Sequence, residues 1–325
     1  MIQMGKVLFV SQNELGRCEN LTSVYNAYDG EKEFRCGLGS MKTAEQEGFA
    51  AVVCDALPTY IEGKDRCKSI VICHGITGNK AYGLDEDRPV NAPAFEQTDI
   101  ATAASEASVH LVAQQLGIPE SRVIASGFPR TDLYISKVKG DGGTFMADKR
   151  ACLYAPTFRD TTKRGWLPRI DWEIVDSLLD DDEVFVLKRH YFTPNPLLGS
   201  DFKHIIEIEP TEPLTPYLID CDVLLTDYSS CISDAYLLNK PVVLTCDDMH
   251  EYMRDRMMYY DYPDKYSSRW LIAEGHEELL VSTIRKAAQD GLTMIEHGYM
   301  CLTAGACDGH STERTCELIR SCLDG

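Results

Sequence analysis

Short polar clusters follow five apolar, β-branched runs of this chain, each at the point where the run ends. The clusters are His74-Gly75, Pro156–Asp160, Lys188–His190, Thr211-Glu212 and Asp227–Ser230. Each run has the length and composition of a buried strand. In an open α/β sheet, ligands bind outside the carboxyl ends of the strands, so the clusters predict an assembled site. Their cationic, hydroxyl and glycine residues favour an anionic, phosphate-bearing ligand.

The alternation of strands and helices predicts an α/β protein with two Rossmann-like domains. In the first half, we predict strands at 6–10, 50–54, 69–73, 99–103 and 122–125, and a helix at 106–116. In the second half, we predict strands near 151–155, 184–188, 204–208, 222–226, 242–245 and 270–273, and helices near 171–180, 231–238 and 276–289. The simplest architecture is two such domains that face each other across a cleft.

A glycine-rich, polar segment at 139–144 has the composition of a domain boundary. We therefore predict a first domain over 1–140 and a second over 145–308. A last helix, within 309–325 and with Ser311 as its N-cap, is expected to close the structure and pack back on the first domain.

The net charge and the hydropathy of the chain argue against binding to nucleic acid and against insertion into a membrane. The 32 basic and 51 acidic residues give a net charge of −19, which repels nucleic acid and anionic lipid headgroups. The chain has no apolar run of 18 residues and no signal peptide ahead of the first strand. We expect a cytoplasmic protein without a transmembrane segment, and peripheral placement at the inner face of the cell membrane stays open.

The segment Asp227–Ser230 follows a buried strand and leads into a predicted helix. The first amides of a helix lack intrahelical partners and carry the positive end of its dipole, so they suit a phosphate. Ser229 and Ser230 add hydroxyl donors. In the alternative interpretation, a serine here only N-caps the helix. The spacing leaves both interpretations open.

A histidine and several cations complete the predicted edge. A neutral imidazole at His74 can take a proton from an attacking hydroxyl, whereas the alternative is a structural histidine bonded to a neighbouring loop. Arg159 and Arg189 can bind phosphate oxygens in a bidentate manner. Isolated arginines are more often surface residues paired with acids, but here several cations gather at one edge of an acidic protein.

Metal and cofactor sites are not predicted. Asp180–Asp182 lies between a predicted helix and the strand that follows it. It is therefore at the amino end of that strand, away from the predicted site, and we interpret it as a solvated turn. Asp247-Asp248 lies at the correct edge but supplies too few ligands for Mg²⁺. The thirteen cysteines lack CxxC spacing, which favours small buried hydrophobic residues over zinc ligands or disulfides. The sequence has no Walker A motif and no GxGxxG, which argues against NTPases and NAD-dependent dehydrogenases.

Seven segments, in order, resemble the CDP-glycerol glycerophosphotransferase family, the teichoic acid primases and polymerases of bacterial cell-wall synthesis. They are 73–75, 126–132, 153–160, 187–190, 221–230, 239–241 and 308–314. The resemblance covers roughly residues 70–320 and implies a GT-B fold, with an acceptor-facing first domain and a donor-binding second domain. It also implies a reaction that needs no metal or other cofactor.

The resemblance implies that glycerol phosphate moves from CDP-glycerol, or a related CDP-alditol, to an acceptor hydroxyl, with release of CMP. The acceptor is a glycan or polyol-phosphate precursor of teichoic acid or capsule type, lipid-linked or not. The catalytic residues would be His74 as base or transition-state contact, His190, and Asp227, which would orient its loop. The substrate-binding residues would be Gly75, Thr77, Arg130, Pro156, Thr157, Arg159, Arg189, Thr211, Glu212, Ser229 and Ser230. His74 then belongs to one rim of the cleft, and the clusters after residue 150 belong to the facing rim.

Two other functions remain compatible with the sequence. The first keeps the fold and changes the donor, giving a GT-B nucleotide-sugar glycosyltransferase or epimerase. The second is a binding module without catalytic activity. Stabilisation by UDP-sugars but not by cytidine nucleotides would favour the former, and ligand binding without turnover the latter. The oligomeric state stays open.

Overall fold

The computed structural model describes residues 5–16, 19–55, 58–72, 93–159, 170–190, 193, 198, 201–255, 258 and 261–324. The chain forms two compact units. Met1–Ile135 and Cys301–Gly325 make up the first unit, and Ser136–Met300 makes up the second. The chain thus leaves the first unit just before the predicted boundary segment at 139–144. It returns at Cys301, earlier than the predicted residue 309.

Twelve described strands alternate with nine described α-helices. The strands are β1 (Val7–Ser11), β2 (Lys32–Cys36), β3 (Ala51–Cys54), β4 (Lys68–Val71), β5 (Ile100–Ala103), β6 (Val123–Ala125), β7 (Arg150–Tyr154), β8 (Glu183–Leu187), β9 (Ile205–Glu207), β10 (Val223–Thr226), β11 (Val242–Thr245) and β12 (Trp270–Leu271). The helices are α1 (Glu19–Ala27), α2 (Val109–Leu116), α3 (Trp172–Leu178), α4 (Leu214–Asp220), α5 (Cys231–Leu237), α6 (Met249–Asp255), α7 (Glu277–Asp290), α8 (Met294–Ala304) and α9 (Ser311–Asp324). No helix of these segments is long and apolar enough to cross a membrane.

Each unit contains one six-stranded sheet, and the described strand pairs are all parallel. The order is β2-β1-β3-β4-β5-β6 in the first unit and β12-β11-β10-β7-β8-β9 in the second. The eleven strands predicted from apolar runs are confirmed, with ends displaced by a few residues. The prediction missed β2, and it also missed α1, α4, α6 and α8.

The first sheet is buried on both faces, which explains the continuous apolar run of β1. Val7 and Phe9 face one side and pack with Cys316 and Ile319 of α9. Leu8 and Val10 face the other side, in the same core as Val112 of α2. Successive residues of a strand point to opposite faces, so the single run VLFV supplies both cores. The last helix therefore packs on the first unit.

The segments 126–132 and 308–314 contact each other at the start of α9. The carboxylate of Asp132 accepts hydrogen bonds from the backbone N–H groups of Ser311 (3.1 Å) and Thr312 (2.6 Å). Arg314 donates from Nε to the carbonyl of Ser126 (3.1 Å). The prediction that Ser311 N-caps the helix was wrong, because its Oγ has no hydrogen-bond partner in the described part of the chain. Asp132, distant in sequence, satisfies the first amides of α9 instead.

Asp132→Ala is expected to lower the free energy of unfolding by about 1–2 kcal/mol, because two helix-end amides lose their acceptor. Chemical denaturation of the purified protein measures this change. The matched control is Glu317→Ala, which removes an exposed carboxylate from the same helix. Equal stability of the two variants would contradict the capping role of Asp132.

The glycine-rich segment 139–144 is anchored rather than free. The fully buried carboxylate of Asp220, at the end of α4, accepts hydrogen bonds from the backbone N–H groups of Gly140 (2.8 Å), Gly142 (3.0 Å) and Thr144 (2.8 Å). The Thr144 hydroxyl donates a fourth bond of 2.8 Å. A Cβ on Gly142 would lie 2.2 Å from the carbonyl oxygen of Pro216, so this close approach requires glycine. The segment thus belongs structurally to the second unit.

Candidate functional site

The strand order of the second sheet places a topological switch point between β7 and β10. From β7 the chain continues to β8 and β9 on one side, and from β10 it continues to β11 and β12 on the other. The connections that follow β7 and β10 therefore diverge and leave a crevice at the carboxyl ends of these two strands. The predicted residues Pro156, Thr157 and Arg159 follow β7, and Asp227, Ser229 and Ser230 follow β10.

Asp227 ties the two strand ends together. Its carboxylate accepts hydrogen bonds from the backbone N–H of Thr157 (2.8 Å) and from that of Tyr228 (2.6 Å). The side chain is fully buried. A second link joins the same strands, because the Thr226 hydroxyl donates to the carbonyl of Ala155 (2.6 Å). Asp227 therefore positions backbone on both sides of the switch point, as the orienting role expected of it requires.

Arg159 is paired with two carboxylates. Its Nη2 lies 2.9 Å from Asp227 Oδ2, and its Nε lies 2.6 Å from Asp248 Oδ2. Burial disfavours the charge of the guanidinium, but the two carboxylates outweigh that effect and raise the pKa of Arg159 above its usual range. Any phosphate contact of Arg159 is thus made by a group whose orientation is already fixed. Asp248 was expected at this edge of the sheet, but its pairing with Arg159 was not predicted, because the two residues are 89 positions apart in the sequence.

The segment after β8 lies against the segment after β7. The ring of His190 packs on that of Phe158, with centroids 4.7 Å apart. Arg189 donates from Nε to Glu207 of β9 (2.8 Å) and from Nη1 to the carbonyl of Thr193 (2.9 Å). The predicted residues Thr157, Arg159, Arg189 and His190 therefore belong to one connected edge of the second sheet.

Lys188 connects the ends of β8 and β9. Its Nζ donates to the carbonyl of Pro210 (3.0 Å), immediately before the predicted residues Thr211 and Glu212. Burial lowers the pKa of Lys188, and the charge of Glu212 partly opposes this shift. Both Thr211 and Glu212 are exposed, so their side chains can meet a ligand.

Ser229 and Ser230 precede α5, and the structure separates their roles. Ser230 is exposed and its side chain makes no capping hydrogen bond. Ser229 is half-buried, and its Oγ accepts a long hydrogen bond of 3.4 Å from the backbone N–H of Cys231. The alternative interpretation, a serine that caps the helix, therefore holds weakly for Ser229 and not for Ser230.

Several predicted residues lie elsewhere. His74, Gly75 and Thr77 are outside the described residues, which break off after Ile72, just after β4, and resume at residue 93. Arg130 belongs to the first unit, where its guanidinium carbon lies 4.7 Å from the centroid of the Phe128 ring. Its backbone N–H donates to Asn20 Oδ1 (3.0 Å). Pro156 is buried beside Thr157, whose Oγ1 is also buried and has no hydrogen-bond partner within the described ranges.

We find no metal centre in the described segments. No group of three or more His, Cys, Asp or Glu side chains lies close enough together there to bind a metal ion. Asp180 and Asp182 pair with Arg150 at 3.0 and 2.8 Å, and Asp181 pairs with Lys203 at 2.6 Å. This exposed turn precedes β8, as predicted. The cysteines that the structure describes are free thiols, and most of them are buried.

The family of the chain follows from comparison of its sequence with known families. The model described as CDP-glycerol:poly(glycerophosphate) glycerophosphotransferase matches residues 27–320. The chain belongs to this family. The predicted resemblance is thus confirmed, and the match begins at residue 27, well before the first of the segments that suggested it.

Curated relatives of this family member are named for teichoic acid synthesis. The teichoic acid poly(ribitol-phosphate) polymerase of Bacillus spizizenii is 33% identical over 167 residues, which are 47% of this chain and 27% of that protein. The teichoic acid glycerol-phosphate primase of Bacillus subtilis is 26% identical over 218 residues, which are 63% of this chain and 57% of that protein. The chain therefore spans only part of the length of these relatives.

Solved structures share the fold. The wall teichoic acid polymerase TagF superposes with a TM-score of 0.77 at 18% identity, over 99% of this chain and 90% of that one. The UDP-GlcNAc 2-epimerase of Methanocaldococcus jannaschii superposes with a TM-score of 0.58 at 14% identity, over 97% of this chain and 99% of that one. These likenesses confirm the predicted α/β architecture of GT-B type.

Proposed function

We propose that this chain transfers an alditol phosphate from a CDP-alditol to a hydroxyl of a cell-surface polymer or glycan precursor, and releases CMP. The observation that carries the proposal is the family match over 27–320, which includes every described residue of the switch-point edge. The edge suits a nucleoside diphosphate, because hydroxyl groups and cations gather there beside backbone that Asp227 holds in place.

The reaction needs positioning and charge stabilisation more than covalent chemistry. The oxygen of the acceptor hydroxyl attacks the β-phosphorus of the donor, and a new phosphodiester bond forms. The bond between the β-phosphorus and the bridging oxygen breaks, and CMP leaves with the electron pair. In this proposal His74 takes the proton of the hydroxyl. Thr157, Arg159, Arg189, His190, Ser229 and Ser230 hold the diphosphate and the alditol, and Thr211 and Glu212 contact the nucleoside.

The alditol is proposed to be glycerol or ribitol. The family description names glycerol phosphate, whereas the relative with 33% identity is named for ribitol phosphate. Incubation with CDP-glycerol and with CDP-ribitol, each with a teichoic acid primer, separates the two by the amount of CMP released. We expect release from at least one donor, and the same rate in EDTA, because the proposed reaction uses no metal. Absence of CMP with both donors would refute the proposal.

The second candidate is a nucleotide-sugar enzyme of the same fold, which the epimerase likeness favours. Thermal unfolding with CMP, CDP-glycerol and UDP-GlcNAc discriminates between the two, because a ligand that binds only the native state raises the Tm. Stabilisation by cytidine nucleotides supports the glycerophosphotransferase. Stabilisation by UDP-GlcNAc alone supports the nucleotide-sugar enzyme.

A further inference from the structure

A buried ion cluster lies where the segments after β7, β10 and β11 meet. Its members are Arg159, Asp227 and Asp248, one from each segment. Asp248 belongs to none of the segments that predicted the site. The cluster therefore adds a third strand end, that of β11, to the switch point between β7 and β10.

Asp248 contacts Arg159 through both carboxylate oxygens. Arg159 Nε donates to Oδ2 (2.6 Å), and Nη2 donates to Oδ1 (3.0 Å). Nη1 of the same guanidinium donates to the carbonyl of Thr157 (2.5 Å). A two-point contact fixes the plane of the guanidinium as well as its position. Asp248 thus controls a side chain that bonds directly to the backbone of the segment after β7.

Two tyrosines connect Asp248 to the segment after β10. The hydroxyl of Tyr228 donates to Asp248 Oδ1 (2.8 Å). The rings of Tyr228 and Tyr252 are stacked, with centroids 3.8 Å apart and planes within 10°. The guanidinium carbon of Arg159 lies 5.1 Å from each ring centroid, within the range of a cation–π contact. Asp248 therefore reaches Ser229 and Ser230 through Tyr228.

Burial makes the arrangement sensitive to loss of one member. The side chains of Arg159, Asp248 and Asp227 are 9%, 5% and 0% exposed. With one guanidinium and two carboxylates, the cluster has a formal charge of −1. Replacement of Asp248 by asparagine leaves the charges of Arg159 and Asp227 balanced, but it takes one acceptor oxygen away from the buried guanidinium, which then loses its two-point contact.

We propose that Asp248 is a positioning residue for donor binding, acting through Arg159 and Tyr228 on the two segments that carry Thr157, Ser229 and Ser230. The inference rests on the proposed function, in which those three residues bind the donor. The contacts described above for the cluster lie within the second unit. Loss of Asp248 therefore weakens recognition of the donor and leaves recognition of the acceptor unchanged.

Asp248→Asn removes the charge and one acceptor oxygen at constant shape. We expect the donor KM to rise about tenfold while the acceptor KM stays within twofold, since the donor-binding groups lose their orientation. The matched control is Asp247→Asn, because Asp247 accepts instead from the backbone N–H groups of Ala273 (2.9 Å) and Glu274 (2.8 Å). A lower kcat with both KM values unchanged would show a purely structural role and overturn the inference. An equal effect in the control would also overturn it.

Tyr228→Phe keeps the inference testable if Asp248→Asn does not fold. It removes only the hydroxyl bonded to Asp248, and we expect a smaller rise in donor KM, about threefold, with the acceptor KM unchanged. An unchanged donor KM in Tyr228→Phe would count against the path through Tyr228.

Hydrogen exchange separates failure of the inference from failure of the proposed function. Peptides covering 153–159 and 224–230 should exchange faster in Asp248→Asn than in the wild type or in Asp247→Asn. This readout needs no turnover. If the wild type releases no CMP from any CDP-alditol, the proposed function fails and the exchange data still decide the role of Asp248. Unchanged exchange in both peptides would overturn that role.

Discussion

His74→Ala is expected to lower turnover of the CDP-alditol by about 10²–10⁴-fold, because the attacking hydroxyl loses its general base. His74 follows the buried end of β4, where Ile72 is fully buried. The carboxyl end of a parallel strand is the edge at which open α/β sheets bind ligands. Initial rates of CMP release, with unfolding curves recorded for both proteins, measure the loss of turnover at intact fold.

A pH profile distinguishes a base from a transition-state contact. If His74 is the base, kcat/KM of the wild type rises with pH over an acidic limb, and this limb is absent in the residual activity of the variant. His110→Ala is the control, because His110 is exposed on α2 of the same unit. Full activity of His74→Ala would exclude both roles.

Asp220→Ala is expected to lower the free energy of unfolding of the second unit by about 3 kcal/mol, because three backbone N–H groups and a hydroxyl lose a buried, charged acceptor. The segment 140–144 should then detach from the end of α4. Urea denaturation measures the stability, and proteolysis within 139–144 reports the detachment. Asp181→Ala removes an exposed carboxylate of the same unit and should leave both measurements unchanged.

The effect of Asp220 should depend on pH. Burial opposes its ionisation, but the hydrogen bonds from Thr144, Gly140 and Gly142 together outweigh that effect and hold the pKa of Asp220 below its usual value. A carboxyl with a lowered native pKa stabilises the fold fully above the unfolded-state value of about 3.9 and loses this contribution as the pH falls below it. The stability gap between wild type and Asp220→Ala should therefore stay constant above about pH 5 and narrow as the pH falls below about 4. A gap that is constant with pH would contradict this assignment.

The buried strands were predictable because they consist of consecutive apolar residues, and such runs are typical of strands that are buried on both faces. In β1, four consecutive apolar residues fill both cores of the first unit. By contrast, β2 reads Lys-Glu-Phe-Arg-Cys and lies at a sheet edge, half-buried. Charged residues are typical of edge strands, and they conceal the alternating pattern that identifies a strand. Pro216 likewise concealed α4, although a proline is tolerated in the first turn of a helix.

Site residues were predictable where a polar or charged residue directly follows a predicted strand in the sequence. Thr157 and Asp227 were both expected at one edge, and the structure joins them by a hydrogen bond of 2.8 Å. The partners that hold such residues were not predictable, because they come from distant segments. Asp248 fixes Arg159 across 89 positions, and Asp132 caps α9 across 179 positions. The pattern of residues within a single segment of the sequence cannot predict such pairs.

The position of the donor is the central claim, and a crystal of this protein soaked with CMP or CDP-glycerol measures it. We expect the cytidine nucleotide at the carboxyl ends of β7 and β10, with phosphate oxygens within hydrogen-bond distance of the segments 157–159 and 229–230. A nucleotide bound at any other edge of the two sheets would contradict the claim.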